Sequence, residues 1–132
     1  MKKVILSLVF LITINFTSCT SKAKKETTTT TEVVKEMAMT DISFGVRGNC
    51  GMCKTTIEKA ALSVDGVEEA SWSITSKILD VKTTSGLDSI IIHEAVANSG
   101  YDTELILAVD ENYNNLPGCC QYNREMVITS KN

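Results

Sequence analysis

Asp41-Ile42-Ser43-Phe44-Gly45-Val46-Arg47-Gly48-Asn49-Cys50-Gly51-Met52-Cys53 is the stretch whose reading decides the fold. Ile42, Phe44 and Val46 alternate with Asp41, Ser43 and Gly45, the period-two pattern of a half-buried strand. Gly48-Asn49 supplies a turn. Cys53, Ile57, Ala60, Ala61 and Val64 then recur at helical spacing, with Lys54, Glu58 and Lys59 on the opposite face. Asp65-Gly66 ends that helix, because glycine tolerates the left-handed cap position. Two cysteines three residues apart therefore fall at a strand-to-helix junction.

Working outward, Val67 to Ile74 reads as a second strand, with Ala70, Trp72 and Ile74 alternating and Trp72 assigned to the core. Ser76-Lys77 makes a turn, and Leu79 and Val81 face inward on a third strand. Leu87 to Asn98 is a second amphipathic helix carried by Leu87, Ile91, Ile92, Ala95 and Val96, with Gly100 as its cap. His93, the one histidine, is expected to face solvent on this helix. Thr103 to Ala108 completes a fourth strand. The order βαββαβ predicts an α+β, ferredoxin-like sandwich, two helices on one face of a four-stranded antiparallel sheet.

That domain occupies residues 40–109, and the flanks read differently. Lys2 and Lys3 precede an apolar run from Val4 to Ile14, too short to span a bilayer. The run ends in Phe16-Thr17-Ser18-Cys19, which resembles a bacterial lipoprotein box with Phe16 in place of the usual leucine. The resemblance implies a signal peptide over residues 1–19, lipidation of Cys19, and export to the envelope or periplasm on a membrane anchor. Residues 20–39 are rich in Thr, Lys and Glu and read as a disordered tether. Met37-Ala38-Met39 is the lead-in to the first strand. Residues 110–132 form a C-terminal extension not needed for the sandwich.

The 132 residues carry a net charge of −3, and without Lys2 and Lys3 the balance is 11 basic against 16 acidic residues, or −5. An acidic chain of this kind lacks the basic patch that nucleic acid requires. No Ser/His/Asp arrangement, phosphate loop or paired-carboxylate pattern is evident, so the chain is not expected to be an enzyme. There are five cysteines. Setting Cys19 aside leaves two close pairs, Cys50/Cys53 and Cys119/Cys120. Short loops gain little from cross-linking, so both pairs look like chemistry rather than scaffolding.

At the start of a helix, free amide N–H groups and the helix dipole favour thiolate over thiol. Two soft sulfurs there suit Cu(I), which accepts low coordination, whereas Zn(II) normally takes four ligands. The rival reading of Cys50/Cys53 is a thiol-disulfide redox pair, as in thioredoxin-like motifs. Such proteins need another element order and a cis-proline, and the only proline here is Pro117. Cys119-Cys120 admits several readings: further ligands to the same ion, a vicinal disulfide, or free thiols on a tail. If the tail docks on the metal loop, these thiolates widen the choice toward Hg(II) or Zn(II).

Gly48-Asn49-Cys50-Gly51-Met52-Cys53-Lys54, the βαββαβ order and Ser99-Gly100-Tyr101 together resemble the heavy-metal-associated domain family. That family includes copper chaperones, N-terminal domains of metal-transporting ATPases and the periplasmic mercuric-ion binding protein. The resemblance covers Thr40 to Ala108. It implies that Cys50 and Cys53 are the metal ligands. It also places Tyr101, Met52 and Asn49 near the site. The partner it implies is a metal-transporting protein or another metal-binding domain that takes the ion by thiolate exchange. The chain departs from the family at Gly48, where a methionine is common.

Overall fold

The structure is a computed structural model that describes residues 38–130. The segment read as a signal peptide, Cys19 and nearly all of the residues read as a tether lie outside the described residues. Strand β1 (Met39–Gly45) pairs antiparallel with β3 (Ile78–Thr84), and β3 pairs antiparallel with β2 (Val67–Trp72). The sheet order is β1-β3-β2. Register aligns Phe44 with Leu79 and Leu79 with Trp72; one step along, Ile42 meets Val81 and Val81 meets Ala70. These two rows put the alternating apolar residues on one face.

Helices α1 (Gly51–Leu62) and α2 (Ser89–Asn98) follow β1 and β3 and pack against each other. Helix α1 buries Cys53, Ile57 and Ala61, one residue per turn. Full burial of a side chain such as Ile57 contributes about 1.5–3 kcal/mol. Helix α2 is capped by Asp88, whose carboxylate accepts from the Ile90 N–H at 3.0 Å. Gly66 has φ +94°, the left-handed conformation the turn after α1 requires.

The expected fourth strand is reduced to one antiparallel bridge, Val46 with Thr103. Arg47 N–H donates to Asp102 O at 2.9 Å and Glu104 N–H to Gly45 O at 3.0 Å on either side of it. The ladder stops there because Thr103 turns the chain. Its N–H donates to Ile106 O at 2.8 Å, and its Oγ1 accepts from the Ile106 N–H at 2.9 Å. Leu105 and Leu107 stay outside, each 62% exposed.

One further expectation is corrected. His93 is not solvent-facing: it is buried, stacks on Phe44 at 3.7 Å between ring centroids, and pairs Nδ1 with Thr103 Oγ1 at 2.8 Å. Ile91 takes the outward position instead. Helix α2 is turned so that the imidazole reaches the hydroxyl beneath it, and burial lowers its pKa.

The segment after Ala108, read as an extension not needed for the sandwich and with its docking left open, packs onto it. It forms α3 (Asp110–Asn114) and a 3-10 turn (Gly118–Cys120), and delivers Cys120 and Tyr122 to the core. Gly100 (φ +100°) permits this approach, since a Cβ there would lie 2.8 Å from Asn112 O. Tyr122 Oη accepts from the Asp102 N–H at 2.7 Å and donates to Gly100 O at 3.0 Å. Buried Asp102 binds Arg47 at 2.9 Å and Arg124 at 2.8 Å. Its Oδ1 also accepts from the Ala108 N–H at 2.9 Å. One carboxylate thus ties the end of β1 to the tail.

Candidate metal centre

Cys50 is the N-cap of α1, with φ −145° and ψ 179°. Its half-buried sulfur lies over the first turn of the helix, toward Cys53. Cys53, one turn on, is fully buried. The two Sγ atoms are 3.5 Å apart, and the Asn49 N–H donates to Cys53 Sγ at 3.3 Å. The Cys50 thiol is lowered to about 7. The Cys53 N–H is the largest cause, followed by the Cys53 thiol, with desolvation opposing.

The docked tail brings the second pair to the same place. Cys120 Sγ lies 3.9 Å from Cys50 Sγ, and Cys119 Sγ lies 3.9 Å from Cys120 Sγ. The sulfurs of Cys50, Cys119 and Cys120 are all within 4.8 Å of one another. All four thiols are free. Burial pushes the Cys120 thiol up to about 12, with Tyr101 opposing and the neighbouring Cys53 and Cys119 thiols adding to the rise. Cys120 is therefore a proton-holding thiol until a cation displaces the proton.

The residues expected near the site are all close to it. Met52 projects from the first turn of α1, about half exposed, with Sδ 3.8 Å from Cys119 Sγ. Asn49 Nδ2 donates to Gln121 O at 3.5 Å, a long bond linking the metal loop to the tail. Tyr101 is fully buried, and its Oη is the one buried side-chain N or O among the described residues without a hydrogen-bond partner. Burial, followed by the adjacent Cys120 thiol, raises its pKa. The hydroxyl thus lies beside the Cys120 and Cys53 thiols, placed to donate to a thiolate.

Trp72 was assigned only to the core, but it also shapes the loop. A Cβ at Gly48 would lie 3.0 Å from Trp72 Cη2 and 3.2 Å from Cys53 Cβ. The indole fills the space beneath the loop, held by an Nε1–H donating to Val46 O at 3.1 Å. A side chain at position 48 would therefore compete with this ring from β2. Alternation alone cannot signal this, because it gives the face of a strand and not the reach of its side chain.

The spacing of the sulfurs bears on coordination. With metal–sulfur bonds of about 2.3 Å, a linear centre separates two sulfurs by about 4.6 Å and a trigonal one by about 4 Å. The observed 3.5 Å and 3.9 Å at Cys50 lie nearer the spacing of a three- or four-sulfur centre, about 4 Å or about 3.8 Å, than that of a linear pair. A linear pair would have to open by about 1 Å.

Fold and sulfur cluster together define a class: a small α+β domain with four free thiols gathered at the start of its first helix. Comparison with known proteins gives this class particular relatives. A stretch of 60 residues, 45% of the chain, is 38% identical to Copper-transporting ATPase 1 of Rhizobium meliloti (strain 1021). The match spans only 7% of that protein's length. Among solved structures, the CopZ metallochaperone is 27% identical with a TM-score of 0.47, over 48% of this chain and 98% of that one. A copper-binding domain from HMA7, a P-type ATPase, is 29% identical with a TM-score of 0.46, over 48% and 89%. Oxidized MerP from Ralstonia metallidurans CH34 is 23% identical with a TM-score of 0.47, over 51% and 96%. No family model matches the chain.

Proposed function

We propose that this protein is a heavy-metal-associated domain that binds a soft metal ion, Cu(I) first, through Cys50 and Cys53, with Cys120 as a third thiolate. The observation that carries the reading is the approach of Cys120 Sγ to 3.9 Å from a Cys50 sulfur that is itself 3.5 Å from Cys53. Cys50 thus stands between two further sulfurs, a set that favours a soft metal ion. Identity with a segment of a copper-transporting ATPase supports copper as the cargo.

Cys53 and Cys120 are buried, whereas Cys50 is half-buried and Cys119 exposed. An incoming thiolate would meet the ion from the Cys50 side. It bonds to the ion as one resident thiolate leaves and takes up a proton. The partner in this reading is a metal-transporting protein or another thiolate-bearing domain. The same reading keeps the lipid anchor at Cys19, export across a bacterial membrane, and residues 20–39 as a tether giving the domain reach.

A redox role for Cys50/Cys53 is the second reading, favoured by their 3.5 Å separation and the lowered Cys50 thiol. One experiment separates the two. The reduced full-length chain is titrated anaerobically with Cu(I) against a chromophoric chelator, and in parallel with Zn(II) and Hg(II). The expected result is tight Cu(I) binding that Cys50→Ser weakens by at least about 100-fold, the upper range for loss of a metal-tuning contact. Unaltered binding in Cys50→Ser would overturn the proposal. Catalytic turnover as a disulfide reductase would put the redox reading in its place.

A further inference from the structure

The cluster holds more sulfur than one low-coordinate ion uses. Its contacts form a chain: Cys53 to Cys50 at 3.5 Å, Cys50 to Cys120 at 3.9 Å, Cys120 to Cys119 at 3.9 Å, and Cys119 to Met52 Sδ at 3.8 Å. The Cys50–Cys120 edge lies in the middle. At the Cys50 end of this edge, 3.5 Å away, stands Cys53, fully buried. On the outer side of the edge stands Cys119, whose sulfur is within 4.8 Å of both its members. Met52 lies beyond Cys119, and it is an exposed apolar side chain held over a thiol.

We propose that Cys119 and Met52 form a second, outer metal position sharing Cys50 and Cys120 with the inner one, so that one chain binds two Cu(I) ions. This rests on the function proposed above and extends it from one ion to a two-ion cluster. The inner ion takes Cys53, Cys50 and Cys120. The outer ion takes Cys119, Cys50 and Cys120, with the Met52 thioether closing its open side. A thiolate has lone pairs enough to bridge two soft cations, and an edge near 4 Å is the spacing found around each trigonal centre when bonds are about 2.3 Å.

The balance is simple. Four thiols lose four protons to solvent, two Cu(I) ions enter, and the sulfur–metal unit carries a charge of −2. No electron moves. The Tyr101 hydroxyl, buried and unpaired, stands on the inner side, where it can donate to the bridging or inner sulfur as charge builds there. The inner ion is shielded, and the outer one stands where a partner would reach it first.

The reduced full-length chain is saturated with Cu(I) under anaerobic conditions, and bound copper per chain is counted while sedimentation reports the oligomeric state. The expected result is two ions per monomer, with thiolate-cluster luminescence and a short copper–copper vector in X-ray absorption. Cys119→Ser, at an exposed position, should fold as the parent by circular dichroism and saturate at one ion without the copper–copper signal. Met52→Leu should weaken the second binding step by roughly 10-fold. Saturation at one ion per chain in the parent overturns the two-ion cluster and leaves the single-ion function standing. A second ion retained in Cys119→Ser, or seen only in a dimer, also overturns it. Failure to bind any Cu(I) overturns the underlying function as well.

Discussion

Cys50 and Cys120 lie in contact yet sit at opposite ends of the thiol range. Cys50, at about 7, is served by the N–H groups of the first turn, whereas Cys120, at about 12, is buried under the tail. In the metal-free chain, alkylation by iodoacetamide should therefore reach half its limiting rate at Cys50 near pH 7, with Cys120 unmodified. Peptide mapping against pH checks this; equal labelling of the two would contradict it. Gly48 is the other decisive residue. Gly48→Met should cost about 1–3 kcal/mol in denaturant unfolding, because the new side chain must displace the Trp72 ring. Trp72 is the only tryptophan, so its emission reports on the loop directly. The closeness of the Cys50 and Cys53 sulfurs was legible because it is local: a spacing of three at a helix start. The Trp72 platform was not, since it depends on pairing between strands far apart in sequence.

Among the elements, the tail departs furthest from its sequence reading. Its pattern has no helical or strand period of useful length, and α3 has only five residues. What docks it is a set of single contacts: Tyr122 in the core, Arg124 on Asp102, and Gly100 leaving room for α3. Tyr122→Phe keeps the ring but strands the Asp102 N–H and the Gly100 carbonyl. It should destabilise the fold by about 1–3 kcal/mol, measurable as a shift of the urea midpoint. The edge of the sheet shows the same limit. Residues Thr103 to Ala108 read as a strand, yet a threonine hydroxyl that bonds the Ile106 N–H ends it after one bridge. His93 was misplaced for a related reason, since a buried imidazole needs a partner that helical spacing does not reveal. The strands that did pair and both main helices were legible from period and caps alone.

For the whole molecule, Asp102 joins β1, the turn after α2 and the tail, so it sets how acid affects the fold. Burial raises its pKa, but Arg124, the Ala108 N–H and Arg47 outweigh this and hold it below the ordinary carboxylate range. A carboxyl depressed on folding contributes stability that is fully present above its unfolded pKa, about 3.9, and is lost as pH falls through the lower folded value. Asp102→Asn should cost roughly 3 kcal/mol at neutral pH, the low end for a broken buried ion pair, because both guanidiniums keep some contact with water. The variant should also lose part of the fall in stability below about pH 4. Urea unfolding at pH 7 and pH 3 tests both. Because Asp102 also docks the tail, loosening it should weaken the hold of Cys120 on the metal loop.

The most direct test of the central claim is copper K-edge X-ray absorption on the reduced chain carrying one Cu(I) per molecule. The result expected is a copper ion bound by three sulfurs with no nitrogen or oxygen neighbour, falling to two sulfurs in Cys120→Ser. A coordination shell containing nitrogen or oxygen, or one unchanged when Cys50 and Cys53 are both replaced by serine, would contradict it.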